Sequence, residues 1–362
     1  MKLSLPHPTR KNWVYFGTAG PGAEGIFCSE FDPVTGSLSD SKLVASIHNP
    51  SFLALHPDGN KLYSVGELNQ EPSVVAYHLE QDGELTAFDQ IRIGNDSAVH
   101  VTVHPYGKFL LTAQYDHGFI AWIALDPTGK FQKMRHYQHT GASNTVHGRQ
   151  DSAHPHFCEF SPCGRFALVP DLGTDQIFIY RVDPSFGMIE FHHAVDTIPG
   201  SGPRHLRFSP DGNLIYLLNE LNLSVSIFKW QAGDGIAQLL NSIECLSESE
   251  KAQESFNSAA EILVHPNGPF VYTSNRGHDS ISVFRANVDS SSLHRAQVQP
   301  IRGAFPRNFN LSPDGQWLLA AGSHSNSISV HQIHPETGKL TYQTDSIIQV
   351  PSPVCIVFAN HL

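Results

Sequence analysis

The chain has 362 residues, a formal net charge of −11 and only 16% charged residues, against 28 glycines and 24 prolines. That balance favours turns over helix. An acidic chain with no basic stripe is not built to hold a nucleic-acid backbone, although a local arginine cluster still suits a small anion.

Residues 1–13, MKLSLPHPTRKNW, contain no apolar core segment and do not read as a signal peptide. No run of 18 apolar residues follows, so no membrane span is expected. Cys28, Cys158, Cys163, Cys245 and Cys355 make an odd count with no CxxC spacing. They are expected to be reduced and mostly buried, in a cytoplasmic protein.

A tetrad, His/Ser-Pro-x-Gly, recurs along the chain. It begins at His56, His104, Ser161, Ser209, His265 and Ser312, in steps of 48, 57, 48, 56 and 47 residues. Each tetrad predicts a hairpin turn, with Pro presetting φ and Gly taking the left-handed position. Apolar runs flank every turn: FLAL, VTV, FCEF, HLRF, EILV and FNL before it, KLYSV, FLLTA, FALVP, LIYLL, FVYTS and WLLAA after it. Third runs such as QIFIY, SVSIF and SISVF alternate with period two. Residues 231–260 interrupt the pattern and read as a loop with a short helical turn inside it.

Repeats of about 50 residues, each a small antiparallel sheet, predict an all-β, seven-bladed β-propeller with four-stranded antiparallel blades. Six units are explicit. The seventh is assembled from PVCIVFANH (353–361) and NWVYFGTA (12–19), so N- and C-terminal strands close the last blade and remove exposed sheet edges. The regular spacing favours one propeller domain over residues 1–362 rather than two β-sandwiches.

In such a hairpin the start of the first strand and the end of the second share one end. Strand starts here carry His100, His154, His156, Arg204, His205, Glu261, Arg307 and Asn308. Strand ends carry Glu67, Gln114, Asp116, Asp171, Asp175, Asn219, Glu220, Asn275, Arg276 and His278. One mouth of the central channel is therefore expected to be rich in arginine, histidine and carboxylate. Asp171 and Asp175, in PDLGTD, are expected to cap a turn, and Asp279 in NRGHD to do the same. Three arginines, Arg204, Arg276 and Arg307, entering one funnel would repel unless they meet carboxylates or an anionic ligand. Glu220 is a candidate partner or base.

Other chemistries find no support. His154-x-His156 puts two rings on one face but fixes no third ligand, HEXXH is absent, and the His192–His193 pair falls on an outer strand, so no metal is expected. There is no GxSxG elbow, GxGxxG or Walker loop, and no cofactor is expected.

The stretches RQDSAHPHFCEFSPCGRFALVPDLGTDQIFIY (149–180), GPRHLRFSPDGNLIYLLNELNLSVSIF (202–228), AAEILVHPNGPFVYTSNRGHDSISVF (259–284) and FPRNFNLSPDGQWLLAA (305–321) resemble the lactonase seven-bladed β-propeller family. That family includes propeller-type 6-phosphogluconolactonase and the related carboxy-cis,cis-muconate cyclase. The resemblance covers essentially the whole chain. It implies a catalytic set of His156, Arg204, Glu220 and Arg276. It adds Arg149, Gln150 and His154 from the lactonase-type loop as substrate-binding residues, and His205 and Arg307, at their strand starts, are expected to bind substrate beside them. One departure stands out: AGSHSNSISV (321–330) lacks the Asn-Gln pair expected after LLAA.

The implied reaction is hydrolysis of a sugar lactone, 6-phosphoglucono-1,5-lactone first, with Glu220 or His156 activating water and arginines polarising the carbonyl. The alternatives are a different lactone, a muconate-type cyclisation, or a non-catalytic propeller that binds partners by its faces. The expected partner is a small anionic or sugar-lactone substrate, with the protein a monomer or weak homodimer and no nucleic acid or membrane involved.

Overall fold

The computed structural model describes residues 12–183, 187–287 and 291–359. The N-terminal segment read above for a signal peptide, apart from Asn12 and Trp13, lies outside them, as do Asn360 and His361 of the closing stretch. Five of the six tetrads close as expected. The N–H of Gly59, Gly107, Gly164, Gly212 and Gly315 donates to the carbonyl three residues back at 2.7–2.9 Å, and all five glycines have φ between 65° and 74°. The sixth departs. Gly268 is not among the positive-φ glycines, because Pro269 follows it and disfavours helical-type backbone in the preceding residue.

The histidines that open tetrads are structural. His56, His104 and His265 each accept a backbone N–H at Nδ1 and donate from Nε2 to the turn carbonyl of the next blade, at Gly107, Gly164 and Gly315 (2.8–3.1 Å). Each staples one blade to its neighbour.

Seven four-stranded antiparallel sheets result. The fifth blade is typical, with strands Pro203–Phe208, Leu214–Asn219, Ser224–Gln231 and Ile236–Glu244 from the channel outwards. Its fourth strand occupies much of the stretch expected to be loop. The short helix expected there is Glu248–Lys251, capped by Ser247 and Glu250 in a reciprocal box. The ring closes where Pro353–Ala359 pairs with Asn12–Thr18, Trp13 opposite Ala359 and Phe16 opposite Ile356.

The cores lie between blades: Leu168 and Ile179 of the fourth blade pack with Ile215, Leu217 and Phe228 of the fifth. Each fully buried Leu, Ile or Phe side chain contributes about 1.5–3 kcal/mol. Among the described residues no helix is long and apolar enough to cross a membrane.

Candidate active site at the channel mouth

Inner strands do not start cleanly. Register shifts fall between Pro203 and His205, between Pro306 and Asn308, and between Ala98 and His100. An extra residue in one strand bends it and re-aims side chains. Without the irregularity Arg204 and His205 would point to opposite faces. With it both side chains line one cavity in the channel, and Arg307 and Asn308 do the same.

The fourth blade reaches the mouth differently. Its inner strand is only Glu159–Phe160, and the segment before it is anchored by an isolated bridge between Pro155 and Asp171. His156 N–H donates to the Pro170 carbonyl at 3.1 Å, and Leu172 N–H to that of His154 at 3.0 Å. His154 and His156 therefore sit ahead of the strand, not on it.

Glu220 is the hub. It is 3% exposed. Arg149 and Arg276 approach its Oε1 at 2.6 and 3.0 Å, and Arg204 donates to Oε2 at 2.5 Å. Burial alone would raise its pKa, but Arg204, Arg276 and Arg149 outweigh that and hold the carboxyl far below the usual range.

Arg204 also donates from Nε to the Ala260 carbonyl at 2.8 Å and from Nη1 to His156 Nε2 at 2.5 Å. Because a guanidinium only donates, His156 Nε2 must accept, and the ring carries its proton on Nδ1. That Nδ1 is buried without a partner among the described residues. Burial first, then the nearby Arg204 and His205, push the His156 pKa well down, so the ring is neutral.

Arg276 donates to the Ala259 carbonyl at 2.8 Å and lies over the Phe305 ring. Burial, partly offset by Glu220, brings its pKa down to about 9. Arg307 has no hydrogen bond or ion pair with the described residues. Burial and Arg204 bring its pKa down to about 10.

The remaining expected residues divide. Arg149 reaches the hub. His205 lies one layer deeper, with Nδ1 3.0 Å from Glu261 Oε1. His154 is spent locally: Nδ1 bonds the Tyr115 carbonyl at 2.8 Å, and its ring stacks on that of Tyr115 at 4.4 Å. Gln150 is fully buried and has no group free for a ligand. Its amide donates to the Leu172 carbonyl at 2.8 Å and accepts from Val146 N–H at 3.1 Å, pinning the loop that presents Arg149.

Asp171 accepts from the N–H groups of Gly173 and Thr174, both at 3.1 Å, as a turn cap. Asp175 and Asp279 instead bond backbone of the following blade, at Gly202 (2.9 Å) and Phe305 (2.8 Å).

Sequence reasoning missed Tyr115. It lies against Arg149, and burial raises its pKa. Its ring also meets that of His156 at 5.6 Å. The signal was its place at a second-strand end, between Gln114 and Asp116. It also missed Phe305 and His324, whose rings stack at 4.0 Å beside Arg276. His324 occupies the stretch that departs from the expected Asn-Gln pair. Among the described residues no group of three His, Cys, Asp or Glu could hold a metal ion.

The model of the lactonase seven-bladed β-propeller family matches residues 13–358. The chain belongs to that family. It is 31% identical over 354 residues to a 6-phosphogluconolactonase of Bacillus subtilis, covering 96% of this chain and 99% of that one. It is 34% identical over 328 residues to a 6-phosphogluconolactonase of Formosa agariphila, covering 88% and 91%. Among solved structures, the periplasmic gluconolactonase of Pseudomonas aeruginosa superposes with a TM-score of 0.88 at 28% identity, covering 97% of this chain and 99% of that one.

Proposed function

We propose that the protein hydrolyses a sugar 1,5-lactone carrying negative charge, with 6-phosphoglucono-1,5-lactone as the leading substrate. The observation that carries this reading is the charge at the mouth. Four guanidiniums, Arg149, Arg204, Arg276 and Arg307, surround one carboxylate, Glu220, so the formal balance is +4 − 1 = +3. An excess of positive charge, half of it buried, suits an anionic ligand. It also gives local attraction on a protein whose overall charge would repel one. The named relatives support the lactone half of the reading.

Hydrolysis adds water to the lactone carbonyl, and the ring oxygen then leaves. Arg204 and Arg276 are fixed by backbone carbonyls and by Glu220, so they are preorganised to receive the developing oxyanion. Arg307 and the half-exposed Arg149 are the groups available to a phosphate or carboxylate. Glu220 holds this arginine set together. Both of its oxygens are occupied and its charge persists far below neutral pH, which makes it a poor proton acceptor. His156 is also poorly suited as a base, because Arg204 takes its lone pair at Nε2. The expectation that one of these two activates water is therefore replaced by anchoring roles.

The Phe305–His324 stack beside Arg276 favours a second reading, an unphosphorylated lactone whose ring packs on that aromatic shelf. Five cysteines without disulfides fit a reducing compartment, and we infer a cytoplasmic protein of sugar-acid metabolism, monomeric or weakly dimeric.

The test is acid release from 6-phosphogluconolactone by the purified protein at neutral pH in EDTA, beside the spontaneous rate. Acceleration with this lactone and not with gluconolactone supports the phosphosugar reading, and the reverse supports the second. No acceleration with either, or with muconates, would leave a binding module as the better account.

A further inference from the structure

We propose that His205, oriented by Glu261, is the general base that activates the attacking water, a catalytic role for a residue expected only to bind substrate. The inference rests on the hydrolase reading above and supplies the base which that reading lacks.

Three observations meet at one point. Glu261 is 1% exposed, and its Oε1 lies 3.0 Å from His205 Nδ1. An ionised carboxylate only accepts, so His205 carries its proton on Nδ1 and its lone pair on Nε2. Glu261 is itself fixed. Asn308 donates to its Oε2 at 2.7 Å, its own blade's Ile262 N–H donates to Oε1 at 3.0 Å, and Arg207 stands 3.5 Å from Oε1. A base held by a third group is the arrangement that catalytic triads share.

The second observation is that His205 Nε2 is buried and has no hydrogen-bond partner among the described residues, and neither has His156 Nδ1. The two rings lie 5.2 Å apart. The two nitrogens are complementary: His156 Nδ1 carries a proton to donate, and His205 Nε2 carries a lone pair to accept. Third, both rings line one cavity of about 30 Å³, together with Arg204, Arg307 and Asn308. That volume holds a water molecule. A water there accepts from His156, donates to His205, and keeps one oxygen lone pair for the carbonyl.

The step balances. Water oxygen forms a bond to the lactone carbonyl carbon as one water proton passes to His205 Nε2. The tetrahedral oxyanion faces Arg204. The bond from that carbon to the ring oxygen then breaks, His205 returns its proton to the ring oxygen, and the new carboxyl group gives its own proton to solvent. Glu261 stays ionised throughout and stabilises the imidazolium between the two transfers. It is a positioning residue, because it acts through His205.

The titratable and charged groups facing His205 are His100, His156, Arg204, Arg207 and Glu261. Burial first, offset in part by Glu261, draws its pKa down to about 4, so it stands neutral with its lone pair available at neutral pH.

The experiment compares wild type with His205→Gln, Glu261→Gln and His205→Gly in the lactone assay, using whichever lactone the wild type turns over, with thermal melts on each. Loss of kcat by about 10²–10⁴ in His205→Gln with little change in KM is expected. Glu261→Gln should give a smaller loss. Imidazole added to His205→Gly should restore part of the rate, with a pH dependence that follows free imidazole, which a purely structural histidine would not produce. If the wild type is active and His205→Gln keeps kcat within a few-fold, the dyad is wrong while the hydrolase reading stands. If His205→Gly loses activity and imidazole restores none in a variant that melts cooperatively, the base role is also wrong. Wild-type protein inactive on every lactone would remove the hydrolase reading and the dyad with it.

Discussion

Replacing Glu220 with Gln probes the centre of the site without changing its shape. The side chain is 3% exposed, as is Arg204, and Arg276 is 5% exposed. Removing the carboxylate leaves at least two buried guanidiniums with no counter-charge. Stripping one partner from a buried ion pair costs about 3–5 kcal/mol, because the other charge stays desolvated. Arg149, whose side chain is 36% exposed, can turn to water and adds little. In a chain of 362 residues that loss corresponds to a fall in Tm of roughly 4–7 °C.

The sign with pH follows from the depressed carboxyl. The unfolded group titrates near 4.5 and the folded one well below it. Its contribution is therefore complete above the unfolded value and lost as pH falls towards the folded one. The Tm gap between wild type and variant should be constant from pH 7 to pH 5 and narrow only at lower pH. The assay is differential scanning fluorimetry or calorimetry in a chloride buffer, repeated with inorganic phosphate. Phosphate at about 100 times its Kd would return about 2.7 kcal/mol to the variant. A variant that melts with the wild type at pH 7 would refute the clamp, as would one that phosphate leaves unchanged.

Arg307→Ala should raise KM for an anionic lactone about ten- to a hundredfold while leaving Tm unchanged or higher, since it removes a partly buried cation that has no counter-ion among the described residues; steady-state kinetics with a melt check both. Tyr115→Phe removes the hydroxyl that lies against Arg149 and should cost about 0.5–1.5 kcal/mol of substrate binding, read as a KM rise of under tenfold with kcat nearly intact. Gly277→Ala should destabilise and inactivate together. Gly277 has φ +90°, a Cβ there would lie 1.8 Å from the Phe256 carbonyl, and relieving that overlap must move Arg276, the neighbouring residue. Melting and kcat measured on the same preparation test this, and a fully active, stable variant would show that the turn does not position Arg276.

The fold was largely legible because propeller blades announce themselves through a turn. Pro and Gly at fixed offsets mark each hairpin, and the odd unit at the two ends had to find a partner for its strand edge. The tetrad also misled where a neighbour intervened, as Pro269 did at Gly268. The site was legible in its membership more than in its roles. Position at strand ends was enough to pick out Glu220, Arg204, Arg276 and Arg307. What each side chain touches depends on irregularities at the strand starts, which period-two patterning does not encode. Arg204 and His205 are adjacent, and only a register shift brings both into the channel. Gln150 and His154 look like ligand-binding groups in sequence but are consumed by their own loop and by Tyr115. The count of 22 histidines points towards metal chemistry until His56, His104 and His265 turn out to be staples between blades.

Those staples bear on where function lies. Buried polar groups are costly when left unpaired, and the blades mostly avoid the cost: the amide N–H groups of Asn219 and Asn275 donate to strand serines, and the tetrad histidines bond the next blade. Orphans in the blades include Trp122 Nε1, Trp230 Nε1, Thr273 Oγ1 and the Oδ1 atoms of Asn219 and Asn275. At the mouth they gather. Among the described residues Arg276 Nε, His156 Nδ1 and His205 Nε2 are all unpaired, and Arg307 stands among them without a counter-ion. A ring of tightly packed blades can tolerate such a cluster because each blade is held by its neighbours on both sides, so local strain does not open the channel. The unmet bonds have opposite characters: a cation excess that calls for an anion, and a donor beside an acceptor that calls for a small amphoteric molecule. An anionic lactone and one water meet both demands at once, and neither a metal ion nor a protein partner would.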